Sequence, residues 1–128
     1  MNPATRRYAQ SERETASPER LMVLLFQAAV RNMRNGTSAL EAGRSTDAYR
    51  SFGKASDIVV ELHATLDRSR APELCDQLAE IYRFVTQRLG VAVLSRDLQA
   101  AREAERVFQP VAEAFDAAVA SLAAQRAR

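Results

Sequence analysis

Residues 45–66 read STDAYRSFGKASDIVVELHATL, and the spacing within this stretch decides the fold. Ala48, Phe52, Ala55, Val59, Leu62 and Leu66 recur at alternating intervals of four and three. On an α-helix those positions share one face and form a continuous apolar stripe. A half-buried strand would alternate with period two, and no stretch of the chain does so. An apolar stripe of this kind needs other helices to cover it.

The neighbouring segments supply them. Upstream, Ser17-Pro18-Glu19 has the form of a helix start. The serine hydroxyl can accept from a free backbone N–H, proline suits the first helical position, and glutamate favours the positive helix end. Leu21, Leu25, Ala28, Ala29, Asn32 and Met33 follow at helical spacing. Gly36 is expected to bend or loosen this helix, Leu40 to resume it and Gly43 to stop it. Ser45-Thr46-Asp47 is expected to cap the second helix. Downstream, Arg68-Ser69-Arg70 is a polar break and Pro72 opens a third helix carrying Leu74, Leu78, Ile81, Val85, Leu89 and Ala92. Ser95 or Asp97 caps a last helix with Leu98, Ala101, Phe108, Val111, Phe115, Val119 and Leu122. Pro110 falls inside it. A proline there removes a hydrogen bond and crowds the preceding turn, so a kink or break is expected near Gln109. Short connections place successive helices antiparallel. The expected fold is all-α: an up-down bundle of four to five helices over residues 17–125, preceded by a flexible arm over residues 1–16.

Composition narrows the function. A chain of 128 residues suits one domain. Lys+Arg is 18 against Asp+Glu 16, and the acids are interleaved with the bases, so no basic stripe for nucleic acid stands out. Cys75 is the single cysteine, which excludes an intrachain disulfide and a four-cysteine metal site. The first 20 residues lack an apolar signal core. The longest apolar run, Leu21 to Phe26, is too short to cross a membrane. The expected compartment is the cytoplasm, with no membrane insertion. Asn35-Gly36-Thr37 matches a glycosylation pattern, which carries no weight without a secretory signal.

The groups for catalysis are missing. His63 is the one histidine, so paired Glu-x-x-His metal ligation is excluded. His63 and Asp67 are expected to form a surface pair, and Cys75 to pack as a small apolar residue. The glycines are scattered and form no phosphate loop. No cofactor and no enzymatic activity are expected.

Surplus apolar surface is the more informative feature. Val23, Phe26 and Val30 lie off the first stripe, Tyr49, Ile58 and Val60 off the second, and Tyr82, Phe84 and Val91 off the third. Two readings fit: a wider stripe in a central helix, or a groove for another helix or extended peptide.

Several of these segments resemble the flagellar secretion chaperones of the FliS family. Thr15-Ala16-Ser17-Pro18-Glu19, then Leu21, Leu24-Leu25-Phe26 and Ala29, resembles the family's opening. Lys54-Ala55-Ser56-Asp57-Ile58-Val59, Glu61-Leu62 and Leu66-Asp67 looks like its second helix. Leu78, Ile81-Tyr82, Phe84, Arg88-Leu89 and Ala92 looks like its third. Tyr8 stands where the family has an N-terminal tyrosine. The resemblance spans about residues 8–120. Each motif is weak alone; their shared order and separation give the likeness its force. The chain departs from the family pattern at Phe26 (usually tyrosine), Ala28 (usually glycine), Ala92-Val93 (usually Ala-Asn) and Pro110.

The resemblance implies a cytoplasmic export chaperone. Its partner would be the disordered C-terminal segment of flagellin, kept from early polymerisation and passed to a component of the export gate. The N-terminal arm with Tyr8 would cover part of the groove in the free protein, and its exchange between copies offers a route to a homodimer. The residues expected at the partner groove are Tyr8, Phe26, Ile58, Leu62, Tyr82, Val85 and Leu89, of which Leu62, Val85 and Leu89 also lie on main stripes. Competing readings are an adaptor bundle for another export component and an arginine-rich nucleic-acid binder, whose affinity would fall steeply with salt.

Overall fold

A computed structural model describes residues 2, 3, 5 and 17–128. Four helices follow one another: α1 (Pro18–Glu41), α2 (Ser45–Ala64), α3 (Pro72–Ser95) and α4 (Leu98–Arg126). Each packs on the next, and α4 returns to α1, so among the described residues the helices form a closed ring with no close backbone approach across its diagonals. Short connections make all neighbours antiparallel. The chain is thus the expected all-α bundle, with four helices.

The helix ends follow from their local residues. Ser17 caps α1, its hydroxyl accepting from the Arg20 N–H at 3.2 Å, with Pro18 next in the first turn. The C-terminus of α1 turns on Gly43, whose φ of +77° is costly for any residue with a Cβ. There the Arg44 N–H reaches the Ala39 carbonyl at 2.8 Å and the Gly43 N–H reaches Leu40 at 3.1 Å. These two bonds satisfy carbonyls that the helix end would otherwise leave open. Asp97 caps α4, accepting from the Ala100 N–H at 3.1 Å. At α2 the expectation fails. Ser45-Thr46-Asp47 already belongs to the helix, Arg44 holds the cap position, and no side chain caps the free N–H groups.

Gly36 does not interrupt α1, which runs unbroken from Pro18 to Glu41. Its role is steric: a Cβ at this position would stand 2.5 Å from the Phe52 ring, which is fully buried. The absent side chain lets α2 lay a phenyl ring against the α1 backbone. Nor does Pro110 divide the last helix; α4 is continuous through it. Pro110 and Arg106 both face solvent, so the Arg106 carbonyl that loses its helical partner can bond to water.

The core is built from few large side chains and many alanines. Phe26, Phe52, Phe108, Met33, Ile58, Leu62, Val85 and Leu89 are buried together with Ala28, Ala29, Ala55, Ala100, Ala101 and Ala104. Alanine at the crossings lets backbones approach closely. Asn32 is the polar intrusion; its amide donates to the Ala28 carbonyl at 2.8 Å. On the surface, Glu41–Arg102, Arg34–Glu105 and Glu19–Arg126 join α1 to α4 at 3.2, 3.0 and 3.5 Å. Exposed pairs of this kind contribute little each, about 0–1 kcal/mol. Arg88–Glu103 at 3.0 Å links α3 to α4 from a more sheltered position.

Among the described residues, α4 is the one helix long and apolar enough by composition to cross a membrane, with a mean hydropathy of 1.2 over its best 18-residue window. The run Leu21 to Phe26 therefore does not set the upper limit of apolar length. Alanine supplies much of that hydropathy. The first half of the helix is nevertheless bundle core: Ala100, Ala101, Ala104 and Phe108 are fully buried.

Of residues 1–16, Asn2, Pro3 and Thr5 are described. The Thr5 N–H donates to Asn2 Oδ1 at 2.9 Å, the Asn2 amide donates to the Asp57 carbonyl on α2, and Thr5 is buried. The rest of the expected arm, Tyr8 included, lies outside the described residues.

Two substitutions test this packing. Gly→Ala inside a helix ordinarily stabilises by about 1 kcal/mol. Gly36→Ala should instead destabilise, by about 1–3 kcal/mol, because the Phe52 ring has nowhere to move. Pro110→Ala restores a backbone bond at an exposed site and should stabilise by about 1–3 kcal/mol. Urea unfolding followed by far-UV circular dichroism reads both.

Candidate functional site

The bundle interior is not filled at the end where α2 passes into α3. A cleft of about 410 Å³ opens there. Met22 and Phe26 come to it from α1, Leu62 and Leu66 from the end of α2 and its connection, Leu74, Leu78 and Tyr82 from α3, and Val111, Phe115 and Ala118 from α4.

The sequence explains the opening. Beyond Phe108, Ala112 is the one buried residue of α4. Ala114 and Ala118 are too small to reach across the axis, so the apolar stripe of α4 runs on without a full partner. On the opposite side, α3 starts after a polar turn, and Leu74 near its N-terminus is 54% exposed. The stripes continue past the point where the bundle can use them.

Aromatic rings form the floor. Phe26 stacks on Phe108 at 5.6 Å and on Phe115 at 4.9 Å. Tyr82 tilts against Phe108 at 6.4 Å and against His63 at 6.0 Å. Burial, with the nearby Cys75 thiol, pushes the Tyr82 phenol up to about 12, so it stays protonated throughout the physiological range. At the rim, hydrogen bonds from the Ser69 hydroxyl and N–H, with the Arg70 charge, hold the Asp67 carboxyl below its ordinary value. Asp67 lies beyond the end of α2 and is engaged with Ser69, so the expected His63–Asp67 pair does not form. Cys75 is free and buried at the cleft edge.

Other hollows differ in chemistry. One of about 420 Å³ between α1 and α4 is lined by Gln27, Arg31, Arg34, Glu113 and Asp116. One of about 490 Å³ carries His63, Arg68, Asp76, Glu80 and Arg83. Neither presents a continuous apolar wall, and no group of three or more metal-ligating side chains converges among the described residues. The arrangement at the α2–α3 end can hold an apolar segment by burial.

The family model described as "Flagellar protein FliS" matches residues 1–122. The chain belongs to the FliS family. It is similar to the flagellar secretion chaperone FliS of Salmonella typhimurium, with 33% identity over 113 residues covering 84% of each chain. It is similar also to the flagellar secretion chaperone FliS of Bacillus subtilis, with 28% identity over 120 residues covering 94% of this chain and 88% of that one. A crystal structure of a bacterial flagellar chaperone matches with a TM-score of 0.72, covering 92% of this chain and 96% of that one. Its 19% identity makes that likeness one of fold.

Within this FliS-family fold, the residues expected at a partner groove separate into two sets. Phe26, Leu62 and Tyr82 line the cleft. Ile58, Val85 and Leu89 do not; each is fully buried among neighbours from the other helices and offers no open side. In the free chain those three pack in the interior, within the buried core cluster. Tyr8 lies outside the described residues. The surplus apolar positions also divide. Val23 and Val30 are buried, whereas Tyr49, Val60 and Phe84 remain exposed at 67%, 58% and 41%.

Sequence reasoning missed Met22, Leu74, Leu78, Val111 and Phe115 as cleft residues and read most of them as core stripe. A signal was present: Ala114, Ala117 and Ala118 thin the last helix just where its stripe continues through Val111, Phe115 and Leu122.

The division is testable by stability alone. Leu89→Asp buries an unpaired carboxylate and should unfold the chain or cost more than about 3 kcal/mol. Leu74→Asp, at the exposed rim, should change stability by less than about 1 kcal/mol. Thermal unfolding of the two variants checks both outcomes.

Proposed function

We propose that this chain is a cytoplasmic export chaperone for flagellin, a protein-binding module rather than an enzyme. It takes up the disordered C-terminal segment of flagellin, keeps it from polymerising early, and delivers it to the export apparatus, whose gate is a second partner. Residues 17–125 act as the binding bundle. The stretch over residues 1–16 acts as a separate arm, with Tyr8 as a cover for the apolar site in the free protein; exchange of the arm between copies would give a homodimer.

The single observation that carries this reading is the apolar cleft lined from all four helices on a FliS-family fold. The relatives' names as flagellar secretion chaperones support the export role. The physics agrees. Ordering a disordered segment costs about 1–2 kcal/mol per residue of backbone entropy. Apolar burial returns about 25 cal/mol per Å², so contact must extend beyond one pocket. The cleft with its Leu74 rim provides a starting point, and exposed Val60 and Phe84 provide further apolar surface along the helices.

The nucleic-acid alternative loses ground on the same surface. Arg34, Arg88, Arg102 and Arg126 are each committed to a carboxylate, which leaves no uniform basic face among them.

Titration calorimetry with flagellin and with flagellin lacking its C-terminal segment tests the proposal. Full-length flagellin should bind with a negative heat-capacity change and weak salt dependence, and the truncated form should not bind. Leu74→Asp should weaken binding about tenfold or more while the fold persists. Equal binding by both flagellin forms, or a Leu74→Asp variant that binds normally, would place the contact elsewhere.

A further inference from the structure

Gly53 on α2 and Gly90 on α3 have no packing reason inside the bundle. A Cβ at either position would meet no side chain and no neighbouring helix within 4 Å. In this they differ from Gly36, whose missing side chain makes room for Phe52. Glycine inside a helix is costlier than alanine, because more backbone freedom is lost on folding. The two glycines also stand at one level of the same seam. Tyr49 and Val93 line one hollow, and His63 and Ala79 line another, so the antiparallel register of α2 and α3 sets Gly53 beside Gly90. By helical spacing, Tyr49, Gly53 and Val60 share the flank of α2 turned toward α3, and Thr86, Gly90 and Leu94 share the flank of α3 turned toward α2.

These flanks form an outer groove with a notch at the two glycines. Its borders are bare: Tyr49 is 67% exposed, Val60 58% and Leu94 87%. One end of the groove meets the cleft, because the hollow around His63 shares Leu66 and Cys75 with it. The other end is a hollow of about 280 Å³ lined in part by Arg96. Arg96 holds a left-handed backbone, φ +51°, which is costly for a residue with a Cβ. Its guanidinium forms no ion pair among the described residues, unlike those of Arg88 and Arg102. Two helix glycines and a left-handed arginine each lower the stability of the free chain. Concessions of this kind gather where a chain serves a partner.

We propose that the α2–α3 seam is a second docking groove for the flagellin C-terminal segment. The segment runs on from the cleft, sets a large apolar side chain into the notch between Gly53 and Gly90, and turns an acidic residue toward Arg96. This inference rests on the flagellin binding proposed above. An ordered segment needs contact well beyond one pocket, and from His63 to Tyr49 the seam adds about 21 Å of it. The notch accepts a side chain that the bundle itself does not provide, and the missing Cβ atoms let a partner backbone come close. The free cation at the far end complements a carboxylate in the same way.

The test replaces both glycines in the full chain, as Gly53→Ala/Gly90→Ala and as Gly53→Leu/Gly90→Leu, and reads two quantities that should move in opposite senses. The melting temperature of the unliganded chain should rise by about 4–8 °C, because both replacements favour helix and meet open space. Calorimetry with the flagellin C-terminal peptide should show affinity lowered about threefold by the alanine pair and about thirtyfold or more by the leucine pair, which fills the notch. Arg96→Gly should likewise raise the melting temperature and lower the affinity, by about fivefold. A lower melting temperature with unaltered affinity would mark these residues as structural and overturn the inference. If the leucine pair or Arg96→Gly binds the peptide within about twofold of the natural chain, the inference falls and the proposed function stands. If the natural chain binds no peptide, both fall.

Discussion

Phe26 lies between two rings of α4, Phe108 at 5.6 Å and Phe115 at 4.9 Å, and that stack joins the sealed part of the bundle to its open part. Phe108 is fully buried and belongs to the core; Phe115 is half-buried and belongs to the cleft wall. The contact brings the last helix back onto the first and so closes the ring of four helices. Dispersion and burial from such aromatic pairs outweigh any single surface ion pair in this structure. The alanines around the stack matter as much as the rings. Ala28, Ala29, Ala101 and Ala104 bring α1 and α4 close enough for the rings to meet. Where the same small residue recurs past Phe108 with no opposing bulk, it leaves space.

Much of this was legible in the chain because helical periodicity is a local property. Ala48, Phe52, Ala55, Val59 and Leu62 needed only the pitch of a helix to be placed on one face, and all five are buried. Ser17 and Asp97 were readable as caps for the same reason: their partners lie three residues away. Features that depend on a distant neighbour were not readable. Gly36 looked like a flaw in a helix because the Phe52 ring that requires it belongs to another helix. Pro110 looked like a break because its cost depends on which way the turn faces, and here it faces water. The full burial of Ile58, Val85 and Leu89 was not readable for a related reason. Periodicity identifies an inward face but does not say how far along the axis that face is covered.

The cleft shows how a binding surface can be made without altering the pattern that builds the fold. Its residues obey the same spacing as the core; what changes is the size of the side chains opposite. Phe26, Leu62 and Tyr82 hold the bundle together from below and present apolar surface above. A substitution at these positions therefore mixes stability with binding. Rim residues such as Leu74, exposed and outside the buried cluster, separate the two effects. A FliS-family chain built this way keeps its interior intact while part of that interior stays open at one end.

The three ion pairs between α1 and α4 gain importance from their order. Arg102, Glu105 and Arg126 meet Glu41, Arg34 and Glu19, so charges alternate along the seam. Were α4 to slide one turn toward the C-terminal end of α1, about 5.4 Å, Glu105 and Arg126 would face Ser38 and Val23, and Arg102 would pass the end of the helix, with no opposite charge waiting in α1. All three pairs would be lost together and none regained. An alanine-rich surface is smooth and would by itself allow such sliding. The charged seam acts as a vernier scale that makes one setting of the two helices distinct from its neighbours.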